Sequence, residues 1–280
     1  MMRGIGRSAA TGGRCRTDLA LALVLCGFAF LIAARVVEAA DLPPEPAAEA
    51  IDAQTFDDRW NAAFGAYVWA ASLSGSVGAG GLGPADVDAS FGDILSNLDM
   101  ALMAAGEVRH GRFGVFADLV YTRLSAEGAG PAGFVDADVS NDLVVATLMG
   151  QALAVERDRS SVDLMAGARL WNVSADLTLT GPGGGTASAG FDETWVDPMI
   201  GAKGRLQGSS PFYATGWGMV GGFGVSSDFT WDVLGAVGYE VRDWFSFVAG
   251  YRAFGVDYED DGFVFDVIQH GPVISGVVRF

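Results

Sequence analysis

The chain has 280 residues, of which 40 are glycine, 50% are hydrophobic and 11% are aromatic, and 17 bases stand against 34 acids for a formal net charge of −17. A chain this acidic is excluded as a nucleic-acid binder, because neutralising phosphates needs clustered Lys and Arg. Past the N-terminus no uncharged apolar stretch reaches the roughly 18 residues of a membrane helix, which leaves a soluble β-sandwich or a membrane barrel whose strands alternate apolar-out and polar-in.

In chain order, Arg3, Arg7, Arg14 and Arg16 precede the apolar run Leu19–Ala34, and Val37-Glu38-Ala39-Ala40 supplies small residues for cleavage. That order predicts a secretory signal peptide over residues 1–39. Its apolar run is short for a spanning helix, which needs about 20 residues. Both cysteines, Cys15 and Cys26, fall within it, so the exported part holds no thiol, disulfide or cysteine metal site. The remaining 241 residues carry 12 bases, Lys203 being the one lysine, against 32 acids. Residues 40–58, rich in Pro, Ala and acid, cannot bury a core and read as a flexible periplasmic segment.

Residues 59–280 break into strand-like runs at roughly 60–76, 98–109, 112–125, 139–156, 161–180, 191–206, 212–225, 229–241, 244–258 and 263–280. The connections alternate. Tight turns lie at Arg109–Arg112, Arg157–Ser160, Gln207–Pro211 and Val241–Trp244. Between them lie longer connections, Ser76–Asn97, Gly128–Asp138 and Gly181–Gly190, a short one near Ser226–Asp228, and Glu259–Gly262. Outer-membrane barrels sort their connections this way, with short periplasmic turns and long outer loops. The predicted fold is therefore all-β: a closed antiparallel up-and-down transmembrane β-barrel of about ten strands, with eight or twelve as alternatives. Ala85–Ser90 is a candidate extra strand, and Phe91–Leu98 a candidate helical turn or two in the first outer loop.

The faces follow from the lipid. A charge on the lipid face costs roughly 2–4 kcal/mol at the midplane, so charged positions point inward. Glu107, Asp118, Asp163, Arg169, Asp197, Lys203, Arg205 and Arg252 are the expected lumen-lining charges, with the four bases pairing with the four acids. The phase of 60–76 and 139–156 is not set by their sequences. Trp60, Phe113, Phe212, Tyr213, Trp244, Phe245 and Phe280 lie where strands meet tight turns, as an interfacial aromatic girdle would.

The last run ends in Phe280, with Val278 and Ile274 at matching outward positions, and resembles the C-terminal signature read by the barrel-assembly machinery. Its phase slips near His270-Gly271-Pro272, where a bulge is expected, since bulges accommodate proline. Trp195–Gly201, Gly221–Val225, Gly250-Tyr251-Arg252, Val256–Glu259, and Phe265-Asp266 through His270-Gly271-Pro272 resemble a family of small proteobacterial outer-membrane β-barrel proteins. More loosely, the chain is similar to porin-like and outer-membrane-protein-A-like barrels. The resemblance implies a barrel in the outer membrane of a Gram-negative bacterium, in contact with lipid and lipopolysaccharide. It carries no functional residue.

Chemistry is sparse. Gly78–Gly83 spells a dinucleotide glycine pattern, but Pro84 follows where a helix should start. His270 and Ser275 are five residues apart, which puts them on opposite faces of a regular strand. Asp257–Asp261 is dense enough in carboxylates to attract hard cations, and reads first as a solvated loop tip. No catalytic, cofactor or metal residue is assigned, and the chain is read as a non-enzyme. The leading expectation is a structural barrel or narrow low-conductance channel. The alternative is a surface protein presenting acidic and Gly-rich loops to cations, lipopolysaccharide or a partner, and a barrel hydrolase comes third.

Overall fold

The computed structural model describes residues 59–78, 84–129, 136–181 and 183–280. The expected signal peptide (1–39), the segment 40–58, most of the glycine pattern and the tip of the 128–138 connection lie outside the described residues. The elements in chain order are β1 (Trp60–Trp69), β2 (Ser72–Gly78), β3 (Ala85–Ala89), α1 (Phe91–Ser96), β4 (Leu98–His110), β5 (Phe113–Ala129), β6 (Asp136–Arg157), β7 (Ser160–Thr180), β8 (Thr186–Gln207), β9 (Phe212–Gly221), β10 (Phe229–Arg242), β11 (Phe245–Asp260) and β12 (Phe263–Arg279). No helix among the described residues is long and apolar enough to cross a membrane.

The sheet closes because β1 pairs with both β4 and β12. β2 continues β1 along β12 in unchanged register, from Trp69 opposite Val273 to Ser72 opposite His270. The gap between them falls opposite Pro272. The Ala70 N–H donates to the Pro272 carbonyl at 2.9 Å, but proline has no N–H to return. β1 and β2 are thus one strand with one missing rung, and the barrel has ten antiparallel strands. The expected bulge at His270–Pro272 is absent: β11 pairs with β12 in constant register from Asp260–Phe263 to Phe245–Val278. β3 adds to the edge of β2, and α1 follows it, capped by Ser90 and Asp93 bonding reciprocally.

Several boundaries differ from expectation: β5 runs on to Ala129 rather than ending near 125, β6 starts at Asp136 rather than 139, and β8 starts at Thr186 rather than 191. β9 ends at Gly221 rather than near 225, because Gly222, Phe223 and Gly224 all take positive φ (82°, 54° and 69°). The β11–β12 connection is a two-residue turn, with Asp261 (φ 42°) and Gly262 (φ 85°) both left-handed, as a tight hairpin requires. Long and short connections therefore do not alternate strictly. Asp257–Asp260 belong to β11 rather than to a loop.

β6, β7 and β8 have 22, 21 and 22 residues. A membrane crossing takes about 9–11. The surplus explains a change of face. Near the tight turns the outward positions are apolar and uncharged: Phe113, Val115 and Leu119 on β5, Leu164 and Leu170 on β7, and Val196, Ile200 and Leu206 on β8. Toward the long connections the outward positions become polar: Arg123, Asp142, Asn172, Ser174, Asp192 and Thr194. There the inward positions are apolar instead, including Val173, Trp195, Phe263 and Phe265, all buried. In β7 the apolar parity flips at Leu170–Trp171. Nine residues separate Trp171 from Thr180. That length adds about 30 Å of strand beyond the apolar band.

Candidate functional site: a plugged lumen

The inward side chains form three layers. The middle layer is ionic. Arg252 Nη2 donates to Asp118 Oδ2 at 2.6 Å and to Asp232 Oδ2 at 2.7 Å. Its Nη1 donates to Tyr67 Oη at 2.6 Å, and Tyr67 in turn donates to Asp118 Oδ1 at 2.8 Å. Arg169 donates to Asp232 Oδ2 at 2.5 Å and to Thr147 Oγ1 at 2.9 Å. Trp217 Nε1 completes Asp232 at 2.9 Å. Arg169, Asp232 and Arg252 are fully buried, and Asp118 is 3% exposed. The contributors come from β1, β5, β6, β7, β9, β10 and β11, so the bonds cross the lumen instead of running along one wall. Two arginines and two aspartates balance. Charges so deeply buried persist only when paired and hydrogen-bonded.

Beside this cluster Met149, Met165, Met199, Met219 and Phe116 fill the barrel. Met149 lies opposite Gly167, and Met199 lies opposite Gly167 on one side and Gly221 on the other. A Cβ on Gly221 would run into the Met199 sulfur. Large residues next to small ones let inward side chains lie across the interior.

Above the ionic layer sits an aromatic one. Trp171 meets Phe254 edge-on at 5.5 Å and stacks on Trp195 at 5.7 Å, and Trp195 stacks on Tyr258 at 4.0 Å and 2°. Arg252 Cζ lies 5.3 Å from the ring centroids of both Trp69 and Trp217, and Arg169 Cζ lies 5.6 Å from that of Trp171. The guanidiniums thus gain cation–π attraction where water is excluded. Trp195 Nε1 donates to Ser227 Oγ at 2.9 Å.

Below the ionic layer is a cavity of about 350 Å³ on the tight-turn side. Tyr67 and Trp217 form its roof. Glu107 and Lys203 form an ion pair on one wall, with Arg109 and Asp163 paired at 2.7 Å nearby. Arg205 donates to Glu240 at 2.7 Å and stacks on Tyr213, its Cζ 3.6 Å from the ring centroid. Arg279 donates to Ser246 Oγ at 2.6 Å and to Tyr213 Oη at 3.1 Å.

Set against the sequence, Asp118, Arg169 and Arg252 come together in the ionic layer, while Glu107, Asp163, Lys203 and Arg205 line the cavity. Asp197 has a different partner from the one expected. It is fully buried and accepts from the Ser227 N–H (2.9 Å) and Oγ (2.7 Å) in place of a base, closing the 222–228 turn over the barrel wall. Tyr213 was expected in the outer girdle but points inward, 4% exposed, whereas Trp60, Phe113, Phe212, Trp244 and Phe280 face out at 55–78%. Gly238 makes that inward seat, since any Cβ there would enter the Tyr213 ring. His270 faces outward, bonded to Tyr251 Oη at 2.7 Å, while Ser275 lines the cavity. His110 packs its ring on Trp60 at 4.8 Å. Sequence reasoning missed Asp232, Tyr67, Arg109, Glu240 and Arg279. No group of three or more His, Cys, Asp or Glu among the described residues is placed to hold a metal ion.

Comparison with known proteins supports the fold. No protein-family model matches the chain, and no curated protein matches it significantly. Among solved structures, the outer membrane protease OmpT of Escherichia coli superposes with a TM-score of 0.54 at 11% identity, over 82% of this chain and 99% of that one. The translocator domain of the autotransporter NalP of Neisseria meningitidis gives 0.47 at 10% identity over 80% and 90%. The Yersinia pestis attachment protein Ail, in complex with a heparin analogue, gives 0.32 at 12% over 79% and 98%. The chain is a closed ten-stranded antiparallel barrel of the outer-membrane kind.

Proposed function

We propose that this protein is a closed, non-conducting barrel of the Gram-negative outer membrane, with a structural role and no enzymatic one. One observation carries the reading: the buried Arg169–Asp232–Arg252–Asp118 cluster bridges the lumen and is roofed by stacked aromatics. An ion passing through would have to part a charge-balanced, buried network. Ten strands lie near the end of the size range at which side chains fill the interior. By the usual asymmetry of such barrels, the tight turns face the periplasm and the long connections face outward, with lipid and lipopolysaccharide around the apolar band. Recording from planar bilayers tests the proposal. Silence is expected over a wide voltage range; steady unitary conductance from the parent protein would refute it.

A second reading, surface presentation, is favoured by the extension beyond the apolar band. It has its own dry core and a polar, acidic exterior that includes Asp142, Asp192, Asp257, Glu259 and Asp266. Such a stalk holds its rim rigidly clear of the membrane. An epitope inserted between Asp261 and Gly262 should be labelled by antibody on intact cells, and no labelling of a correctly folded barrel would remove this reading.

A further inference from the structure

The cavity under the plug is not lined as a water-filled cup would be. Barrel interiors reached by water are polar. Here Leu234, Ala236, Val248, Val273 and Val277, from three adjacent strands, present a largely apolar wall, interrupted by Ser275, whose hydroxyl is turned to the Ala66 carbonyl at 3.0 Å. Leaving such a wall wet costs about 25 cal/mol per Å². The charged groups lie on the opposite wall and near the mouth. At about 350 Å³ the cavity falls within the roughly 300–1,000 Å³ of small-molecule sites, and mostly apolar walls with a few placed polar groups are their usual lining.

One cation in it differs from the rest. Lys203, Arg109 and Arg205 each face a carboxylate: Glu107, Asp163 and Glu240. Arg279 has only the hydroxyls of Ser246 and Tyr213 among the described residues. Tyr213 accepts from Arg279, which leaves its own proton to donate. Its ring is fixed between the Arg205 guanidinium and Gly238. An unpaired guanidinium and an adjacent oriented hydroxyl make a receptor for a carboxylate, and the apolar wall begins beside them at Val277.

We infer that this cavity binds a carboxylate carrying a medium-length hydrocarbon chain, its head on Arg279 and Tyr213 and its chain along β10–β12. The inference rests on the closed lumen only in that Tyr67 and Trp217 roof the cavity. Trp217 therefore reports on the occupant directly. With the full barrel in lipid nanodiscs, 11-bromoundecanoate is titrated against tryptophan fluorescence, and 11-bromoundecanol serves as the same chain without charge. A saturable quenching component is expected for the acid and not for the alcohol. It should weaken at least tenfold in Arg279→Gln and disappear in Ala236→Phe, which fills the cavity, with folding of each variant checked by the mobility shift on boiling. Equal quenching by acid and alcohol, or variants that quench like the parent, would overturn the site. Bilayer conductance reads the plug separately, so a leaky barrel that still binds the acid sinks only the non-conducting reading.

Discussion

The two halves of the barrel are built by opposite rules from the same strands. Near the tight turns, β7 turns Val162, Leu164, Ala166, Ala168 and Leu170 outward and Asp163, Met165 and Arg169 inward. Beyond Trp171 it turns Asn172, Ser174 and Asp176 outward and Trp171 and Val173 inward. The first half is solvated by lipid and hides its charges; the second is solvated by water and hides its aromatics. The solvent outside sets the chemistry inside. Paired charges fill the first interior because the lipid face admits none, and a conventional hydrophobic core fills the second.

The sharpest way to break this comparison is to disturb each interior with the chemistry of the other. Arg252→Leu removes four of the seven hydrogen bonds that Asp118 and Asp232 accept. Removing one partner from a buried charge network costs about 3–5 kcal/mol. Urea titration of the protein in lipid vesicles should show that loss, or no heat-modifiable band should form at all. Replacing Arg252, Asp118, Asp232 and Arg169 together with apolar residues of similar volume should recover much of it, since well-packed apolar replacements of buried ion pairs are often neutral. A single Arg252→Leu variant as stable as the parent would mean that the ionic layer does not hold the lower barrel.

The outer faces offer a milder test on one strand. Leu164 and Ser174 both point outward from β7, ten residues apart. Leu164, 59% exposed, lies in the apolar band, and Leu164→Arg should cost roughly 2–4 kcal/mol. Ser174 has Asp142 and Asp192 as its cross-strand neighbours. Ser174→Arg gains opposite charges on both sides and should be neutral or stabilising by about 0.2–1 kcal/mol. The same vesicle unfolding assay reads both. Equal costs at the two positions would mean that the band does not end near Trp171.

Much of the fold was readable because lipid punishes errors in one direction. Strand number and most strand limits followed from alternation and turns, and Asp118, Arg169 and Arg252 could be set inward by charge alone. The flip of parity within β7 is equally visible, as an apolar pair at Leu170-Trp171 where alternation breaks, but reading it needs the strand to continue beyond the apolar band. Asp232 sits in the otherwise apolar stretch Trp231–Val237, where a lone charge is itself the mark of an inward position. The partners of each charge were not readable. Asp118 meets Arg252 across 134 residues, and that depends on barrel circumference and stagger rather than on any local pattern. The slip of phase near His270-Gly271-Pro272 points to a bulge, but Pro272 only removes one rung and the strand keeps its register.

The smallest effect belongs to the first outer connection, which neither solvent rule governs. α1 is only six residues long, buries none of them and is held by its cap. Ser90 Oγ and N–H both donate to Asp93 Oδ2, at 2.6 and 3.0 Å, and the Asp93 N–H donates back to Ser90 Oγ. Those bonds from Ser90 hold the Asp93 carboxyl below its ordinary range. A depressed carboxylate contributes its full stabilisation above the unfolded-state pKa and loses it as pH falls through the folded one. Hydrogen exchange of the Asp93 and Ile94 amides should therefore retain its protection from neutral pH down into the acid range, then rise beyond the intrinsic pH trend as Asp93 takes up its proton. Asp93→Asn should raise exchange at neutral pH and flatten that acid response while leaving β4–β12 unchanged. If the response persists in Asp93→Asn, another acid governs α1 and the reciprocal cap is incidental.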